Sequence, residues 1–196
     1  MRRLLALTAV ILAGASPAVA QMNMAQPAAG RLTPAPSPRA STVLSVSTGV
    51  RGAAPLKVTI DYGQPFARGR GVEGGLIPNG TVWRTGANAA TSLVTEANLK
   101  IGTLSVPKGS YTVFSLWTPA AGMQLIVSKQ TGQWGTEYKP DMDLGRTAMT
   151  ARTMTETHNA FLIALEPGME TTGPAMSTLR MTWGKTEFSV PVTILP

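Results

Sequence analysis

The sequence predicts an all-β protein, a single-domain antiparallel β-sandwich, on three observations. From Ala40 onward apolar residues recur with a period of two. Glycine and proline fall in short clusters between those runs, where turns belong. No helical period is sustained over any length, and internal repeats are absent.

The runs follow one another in order. Leu56, Val58, Ile60 and Tyr62 share one face of a first clear strand. Tyr111, Val113, Ser115 and Trp117 alternate with Thr112, Phe114 and Leu116, and Met123, Leu125 and Val127 alternate with Gln124 and Ile126. Phe161, Ile163 and Leu165, then Leu179, Met181 and Trp183, then Phe188, Val190, Val192 and Ile194 repeat the pattern. Ile60, Val113, Leu125, Ile163, Met181 and Val190 are the expected inward residues. Turn signals at Pro107-Lys108-Gly109, Pro119 to Gly122, Thr131-Gly132 and Trp183-Gly184-Lys185 imply antiparallel hairpins. Only Lys139 to Arg146 hints at a helical turn.

Ahead of the strands, Met1-Arg2-Arg3, the apolar run Leu4 to Ala15 and Ala18-Val19-Ala20 have the order of a signal peptide over residues 1–20, cleaved before Gln21. The apolar run is too short to span a bilayer, so the mature chain is expected to have no membrane span and to be periplasmic or extracellular. Residues 21–38, with Pro27, Pro34, Pro36 and Pro38, have the composition of a disordered linker. Residues 39–196 are then one domain, long enough to bury its own core. The chain has no cysteine, which leaves neither a disulfide framework nor a lipid-attachment thiol.

Loss of Arg2 and Arg3 takes the formal net charge from +7 to about +5, without a basic block. No basic stripe interleaves with aromatics, which argues against nucleic acid as a partner.

One stretch resists explanation by strand periodicity: Gly74 to Thr91, where Pro78-Asn79-Gly80 and Thr85-Gly86-Ala87-Asn88 are turn signals on either side of Trp83-Arg84. On an extended pair these two side chains point to opposite faces, so Trp83 in the core puts Arg84 on the far side or in a cleft. Backbone amides of residues 86–88 and the side chains of Thr85, Asn88 and Thr91 would converge on whatever Arg84 faces. Such a loop is an anion-binding nest or a self-satisfied structural knot, and the guanidinium is expected to tie loop carbonyls together.

Several motifs carry a resemblance. Tyr62-Gly-Gln-Pro65, Gly69-Arg70, Gly74-Gly-Leu-Ile-Pro78, Val82-Trp-Arg-Thr-Gly-Ala-Asn88 with Thr91, Pro107-Lys-Gly-Ser-Tyr-Thr-Val-Phe114, Gln133-Trp-Gly135 and Thr182-Trp-Gly-Lys-Thr186 occur in that order. Together they resemble the bacterial exported family catalogued as domain of unknown function 2911 (DUF2911), over about Ser37 to Pro196. The resemblance implies export and adds no activity. Where that pattern reads Tyr-Ser-Arg-Pro and Gly-Ala-Asn-Glu-Ala-Thr, this chain has Gln64 and Ala89, so two charged residues are missing together.

The chemical inventory is otherwise thin. His158 is the single histidine and precedes a strand, as a surface or edge residue would. Without cysteine, and with one histidine, no metal site and no cofactor are expected. No Gly-x-Ser-x-Gly elbow is present. Carboxylate pairs would have to come from Asp61, Glu73, Glu96, Glu137, Asp141, Asp143 or Glu156, and Asp141 and Asp143 read first as turn or capping groups. Trp134 and Tyr138 flank Gly135 on an irregular segment, either as a sugar-stacking platform or as plugs of the core.

The candidate ligand-binding residues are therefore Arg84, Thr85, Asn88 and Thr91, with Arg70, Trp134 and Tyr138. They suit a non-enzymatic envelope module for a small anionic or saccharide ligand or an envelope partner protein. The alternative is a hydrolase-like enzyme using Asp or Glu residues beside Arg84.

Overall fold

The computed structural model describes residue 33, residues 35–169 and residues 173–195. The expected leader, 1–20, and most of the expected linker, 21–38, lie outside the described residues. Two antiparallel sheets make up the rest. The larger runs in the order β1 (Arg39–Val46), β2 (Leu56–Gly63), β4 (Thr91–Thr95), β7 (Gly109–Thr118), β8 (Gly122–Ser128) and β9 (Asp143–Ala148), with the two-residue strand β3 (Val82–Trp83) also paired to β7. The smaller runs β10 (Thr150–Pro167), β11 (Ala175–Leu195), β5 (Asn98–Ile101) and β6 (Leu104–Val106).

The period of two explains the packing. Ile60, Val113, Leu125, Ile163, Met181 and Val190 all face the core and are buried, and Leu93, Leu99, Phe161 and Val192 join them. Aromatic rings knit the two sheets: Trp83 of the larger sheet stacks on Trp183 of the smaller at 5.8 Å and meets Phe161 edge-on at 5.1 Å. Along its C-terminal part, edge strand β10 has three outer amides engaged, which blunts that stretch against pairing with another chain. Phe161 N–H donates to the Pro65 carbonyl (2.9 Å), Ile163 N–H to the Tyr62 hydroxyl (3.1 Å) and Leu165 N–H to Thr42 Oγ1 (3.4 Å).

Two local expectations change. Gly184 is no hairpin turn: β11 runs straight through it, and its positive φ of 60° instead bends the strand opposite His158, where the β10 register shifts. Lys139 to Arg146 holds only a single 3₁₀ turn, Pro140–Met142, because Asp143 already begins β9.

Alternation would leave the outer face of β7 and β8 in water, yet Thr112, Phe114, Ile126 and Ser128 on that face are buried as completely as the core residues between them. The segment 129–142 covers them. Tyr138 packs edge-on against Phe114 with ring centroids 4.9 Å apart, Gln133 Nε2 donates to Thr112 Oγ1 (3.0 Å), and Ser128 Oγ donates to the Met142 carbonyl (3.3 Å). This strap forms one side of the site.

Candidate functional site

The loop after β3 is held by close backbone approach. Ala87 N–H donates to the Gly63 carbonyl at 3.0 Å, and a Cβ on Gly63 would stand 1.9 Å from the Ala87 carbonyl oxygen. Only glycine fits there. Thr85 has φ of 52°, a left-handed backbone that a β-branched residue rarely adopts. Strain of this kind costs about 1–3 kcal/mol and persists where the surroundings over-determine it. Here the Thr85 hydroxyl is 2.7 Å from Ser115 Oγ, and Thr91 Oγ1 donates to the Thr85 carbonyl at 2.8 Å.

These bonds decide what the loop can do. Thr85 and Thr91 are fully enclosed, each with 0% exposure, so they do not line a site. The Ala87 amide is engaged by Gly63, and the exposed Asn88 amide donates to the Ser37 carbonyl at 3.3 Å. The expected convergence of residues 85–91 on Arg84 does not occur, because their polar groups turn inward or toward Ser37. The knot exists, but threonine hydroxyls tie it.

Arg84 is left out of the knot. As the extended pair requires, Trp83 faces the core and Arg84 the other side. The arginine is half-buried and, among the described residues, has neither a hydrogen bond nor an ion pair. Its expected role as the tie for loop carbonyls is thereby corrected. It lines a pocket of about 430 Å³ together with Gly75, Leu76, Pro78, Thr81 and Val82 on one side, and Gly135, Thr136 and Tyr138 of the strap on the other. That volume lies within the range of about 300–1,000 Å³ typical of small-molecule sites.

The strap is fastened to the loop on both sides of Trp134. Ala90 N–H donates to the Gln133 carbonyl (3.3 Å), Gly135 N–H donates to the Asn88 carbonyl (3.0 Å), and Ala89 lies opposite Trp134 in an antiparallel pair. A Cβ on Gly135 would stand 2.6 Å from Arg84 Cδ and 2.6 Å from the Asn88 oxygen. The arginine stem therefore lies against bare backbone. Gly63, Trp83, Gly86 and Gly135 all belong to the motifs quoted above, and the family model described as Protein of unknown function (DUF2911) matches residues 45–192. The chain belongs to this family. No curated protein and no solved structure matches the chain itself.

The two departures from the family pattern fall on segments that touch. Gln64 follows Gly63 and Ala89 follows the Ala87–Asn88 turn, so the Ala87-to-Gly63 hydrogen bond joins the two segments. Arg39 reaches this edge, donating to the Ala89 carbonyl at 3.4 Å and pairing with Asp61.

Tyr138 shows the pocket its ring rather than its hydroxyl. The hydroxyl donates to Asp143 Oδ2 (2.7 Å) and accepts from Arg146 Nη2 (2.8 Å), while Arg146 also binds Asp143 Oδ2 (3.0 Å). Burial, and then the Asp143 hydrogen bond and charge, push the Tyr138 phenol above its ordinary value, so it stays protonated at neutral pH. Asp143 thus acts as anchor of this group and is not one of the pocket-lining residues.

The remaining expected residues lie elsewhere. Arg70 is exposed and closes its own turn, with Nε donating to the Ala67 carbonyl (3.0 Å) and Nη2 to the Phe66 carbonyl (2.9 Å); it does not line the Arg84 pocket. Trp134 is 51% exposed and plugs no core. Its partner Ala89 lines a separate, smaller groove of about 170 Å³ beside Ser92 and Thr112. His158 sits in edge strand β10 opposite Gly184. Among the described residues no group of three or more His, Asp or Glu side chains is placed to hold a metal, and no helix is long and apolar enough to cross a membrane. Sequence reasoning missed Gly135, Leu76, Pro78, Thr81, Val82 and Thr136 as pocket walls. The one signal available was glycine directly after Trp134, where a strand residue would carry a side chain.

Proposed function

We propose that this chain is an exported envelope module that binds a small anionic ligand, saccharides included, in the pocket beside Arg84, and that it does so without catalysing a reaction. One observation carries this reading: a half-buried guanidinium with no partner among the described residues lines a pocket of ligand size. A cation partly withdrawn from water gains most when an anion with matching oxygens arrives, and the planar fork of arginine fits two oxygens at once.

The composition of the walls supports binding over hydrolysis. No Asp or Glu lines the pocket among the described residues, so the acid or base that a hydrolase would need is not beside Arg84. Asp143, reached through Tyr138, is already engaged by Tyr138 and Arg146. A concave site also suits a small ligand better than the flat surface of an envelope partner protein. Within this proposal residues 1–20 are the cleaved export leader and residues 21–38 the linker ahead of the domain.

Thermal melts with and without a panel of anionic sugars test the reading. A panel member that raises the wild-type melting temperature should leave Arg84→Ala unmoved. Equal shifts in both proteins would remove Arg84 from the site.

A further inference from the structure

We infer that the pocket selects a singly charged carboxylate carried on a ring, in preference to phosphate or an open-chain acid. The inference rests on the Arg84 reading and adds the ligand class. Charge is the first argument. Arg84 is the only charged side chain among the described residues that line the pocket, so a monoanion is neutralised one for one. A phosphate ester, with about −1.5 to −2 charge at neutral pH, would bring charge that nothing in the wall balances.

Donors are the second argument. Phosphate sites gather several backbone amides, whereas here the wall amides of Gly75, Leu76 and Gly135 are engaged by the carbonyls of Val72, Gly71 and Asn88. The guanidinium fork is the charged donor in the wall, beside the neutral hydroxyls of Thr81 and Thr136, and it matches the two coplanar oxygens of a carboxylate. Shape supplies the third. Tyr138 is held by Asp143 and Arg146 at its hydroxyl and by Phe114 at its ring, so it offers a positioned aromatic ring in the wall it shares with Leu76 and Pro78. Such a wall rewards a flat or puckered ring, from a sugar acid or from an aromatic acid alike.

Calorimetric titration of the purified protein with glucuronate, benzoate, acetate, inorganic phosphate and glucose tests the assignment. At least one of glucuronate and benzoate should bind about 10-fold tighter than acetate, phosphate and glucose, and which of them does so separates the sugar acid from the aromatic acid. Arg84→Lys should lower that affinity about 10-fold, because it keeps the charge and loses the fork. Tyr138→Leu should bring the ring carboxylate down to the level of acetate, whereas Tyr138→Phe, which keeps the ring against Phe114 and gives up the hydroxyl's tie to Asp143 and Arg146, should lose less and stay above acetate. If Tyr138→Leu does not fold, the ligand series and Arg84→Lys still decide the matter. Phosphate binding as tightly as either ring acid, abolished by Arg84→Ala, would overturn the carboxylate class and leave the Arg84 site standing. Ring-acid binding that survives Arg84→Ala, or no binding of any probe, would overturn the Arg84 reading as well.

Discussion

Gly135 lies so close to Arg84 that a Cβ at position 135 would meet Arg84 Cδ at 2.6 Å, with the Asn88 carbonyl oxygen at the same distance on the backbone side. A long side chain can swing away from such a contact, but a carbonyl in a fastened loop cannot. The glycine therefore sets both the seating of the strap on the loop and the direction in which the guanidinium is offered.

Gly135→Ala should lower stability by about 1–3 kcal/mol, the usual cost of forcing extra volume into a fitted contact. It should also weaken any ligand that depends on Arg84. Chemical denaturation beside a ligand titration checks this, and a variant that matches wild type in both would show that the strap is free to lift.

The hydroxyl knot makes a different demand. Thr85→Val keeps the β-branched shape and removes the oxygen that faces Ser115, leaving a buried hydroxyl without its 2.7 Å partner. The expected loss is about 1–3 kcal/mol. Thr91→Val should act in the same direction by stranding the Thr85 carbonyl, and the two losses should not add, since both substitutions break one network.

Glu187 provides the test by pH. It is 5% exposed and accepts from Arg152 (3.0 and 3.2 Å) and from Arg180 (2.7 Å). Burial alone would raise its pKa, but the Arg152 hydrogen bonds and the Arg180 and Arg152 charges outweigh it and hold the carboxyl below its ordinary value of 4.5. A carboxyl whose folded pKa is depressed contributes stability above the unfolded value and loses it as pH falls through the folded one. Glu187→Gln should therefore melt below wild type at neutral pH, and the gap should narrow as the solution is acidified below about 4.5. A gap that stays constant from neutral to acid pH would mean that the ion pairs do not act through this titration.

For the N-terminal segments, the expected outcome is a secreted chain beginning at Gln21, trimmed by protease to a stable core beginning near Pro36, because the carbonyls of Pro36, Ser37 and Pro38 accept from Arg68, Asn88 and Gln64. The segment between has too little apolar surface to offset the entropy of ordering it. Intact-mass measurement before and after digestion reads both ends, and a stable product retaining residues 21–35 would contradict the linker.

Much of the fold was legible in the sequence because strand alternation is a local property. Ile60, Val113, Leu125 and Val190 declare their face through their immediate neighbours, and Trp83 and Arg84 declare opposite faces simply by adjacency. The strap was not legible: nothing near Thr112 or Phe114 says that Gln133 and Tyr138, more than twenty positions on, will cover their side of the sheet. For the same reason Thr85 and Thr91 read as ligand-facing polar residues, although Ser115, which accommodates the Thr85 hydroxyl, lies on another strand. Gly184 reads as a turn, since a glycine that bends a long strand and one that ends it leave the same local mark.

Arg84 is where stability and binding separate most cleanly. Had the guanidinium tied the loop, its removal would strand carbonyls and cost several kcal/mol, as breaking a buried charged network does. No carbonyl depends on it among the described residues, and its loss removes an unbalanced positive charge from a half-buried position. Arg84→Ala should therefore stay within about 0.5 kcal/mol of wild type, the range of substitutions that break no buried contact. The stem covers the Gly135 backbone, which limits any gain, because apolar arginine methylenes shield what lies beneath them. The same substitution should abolish the thermal shift given by an anionic ligand. Thr85→Val should show the reverse, with lowered stability and, in the fraction that folds, an intact anion response. Parallel denaturation and ligand-shift measurements on the two variants decide the point: a large stability loss in Arg84→Ala would return the guanidinium to the knot, and an anion response that survives it would move the site elsewhere.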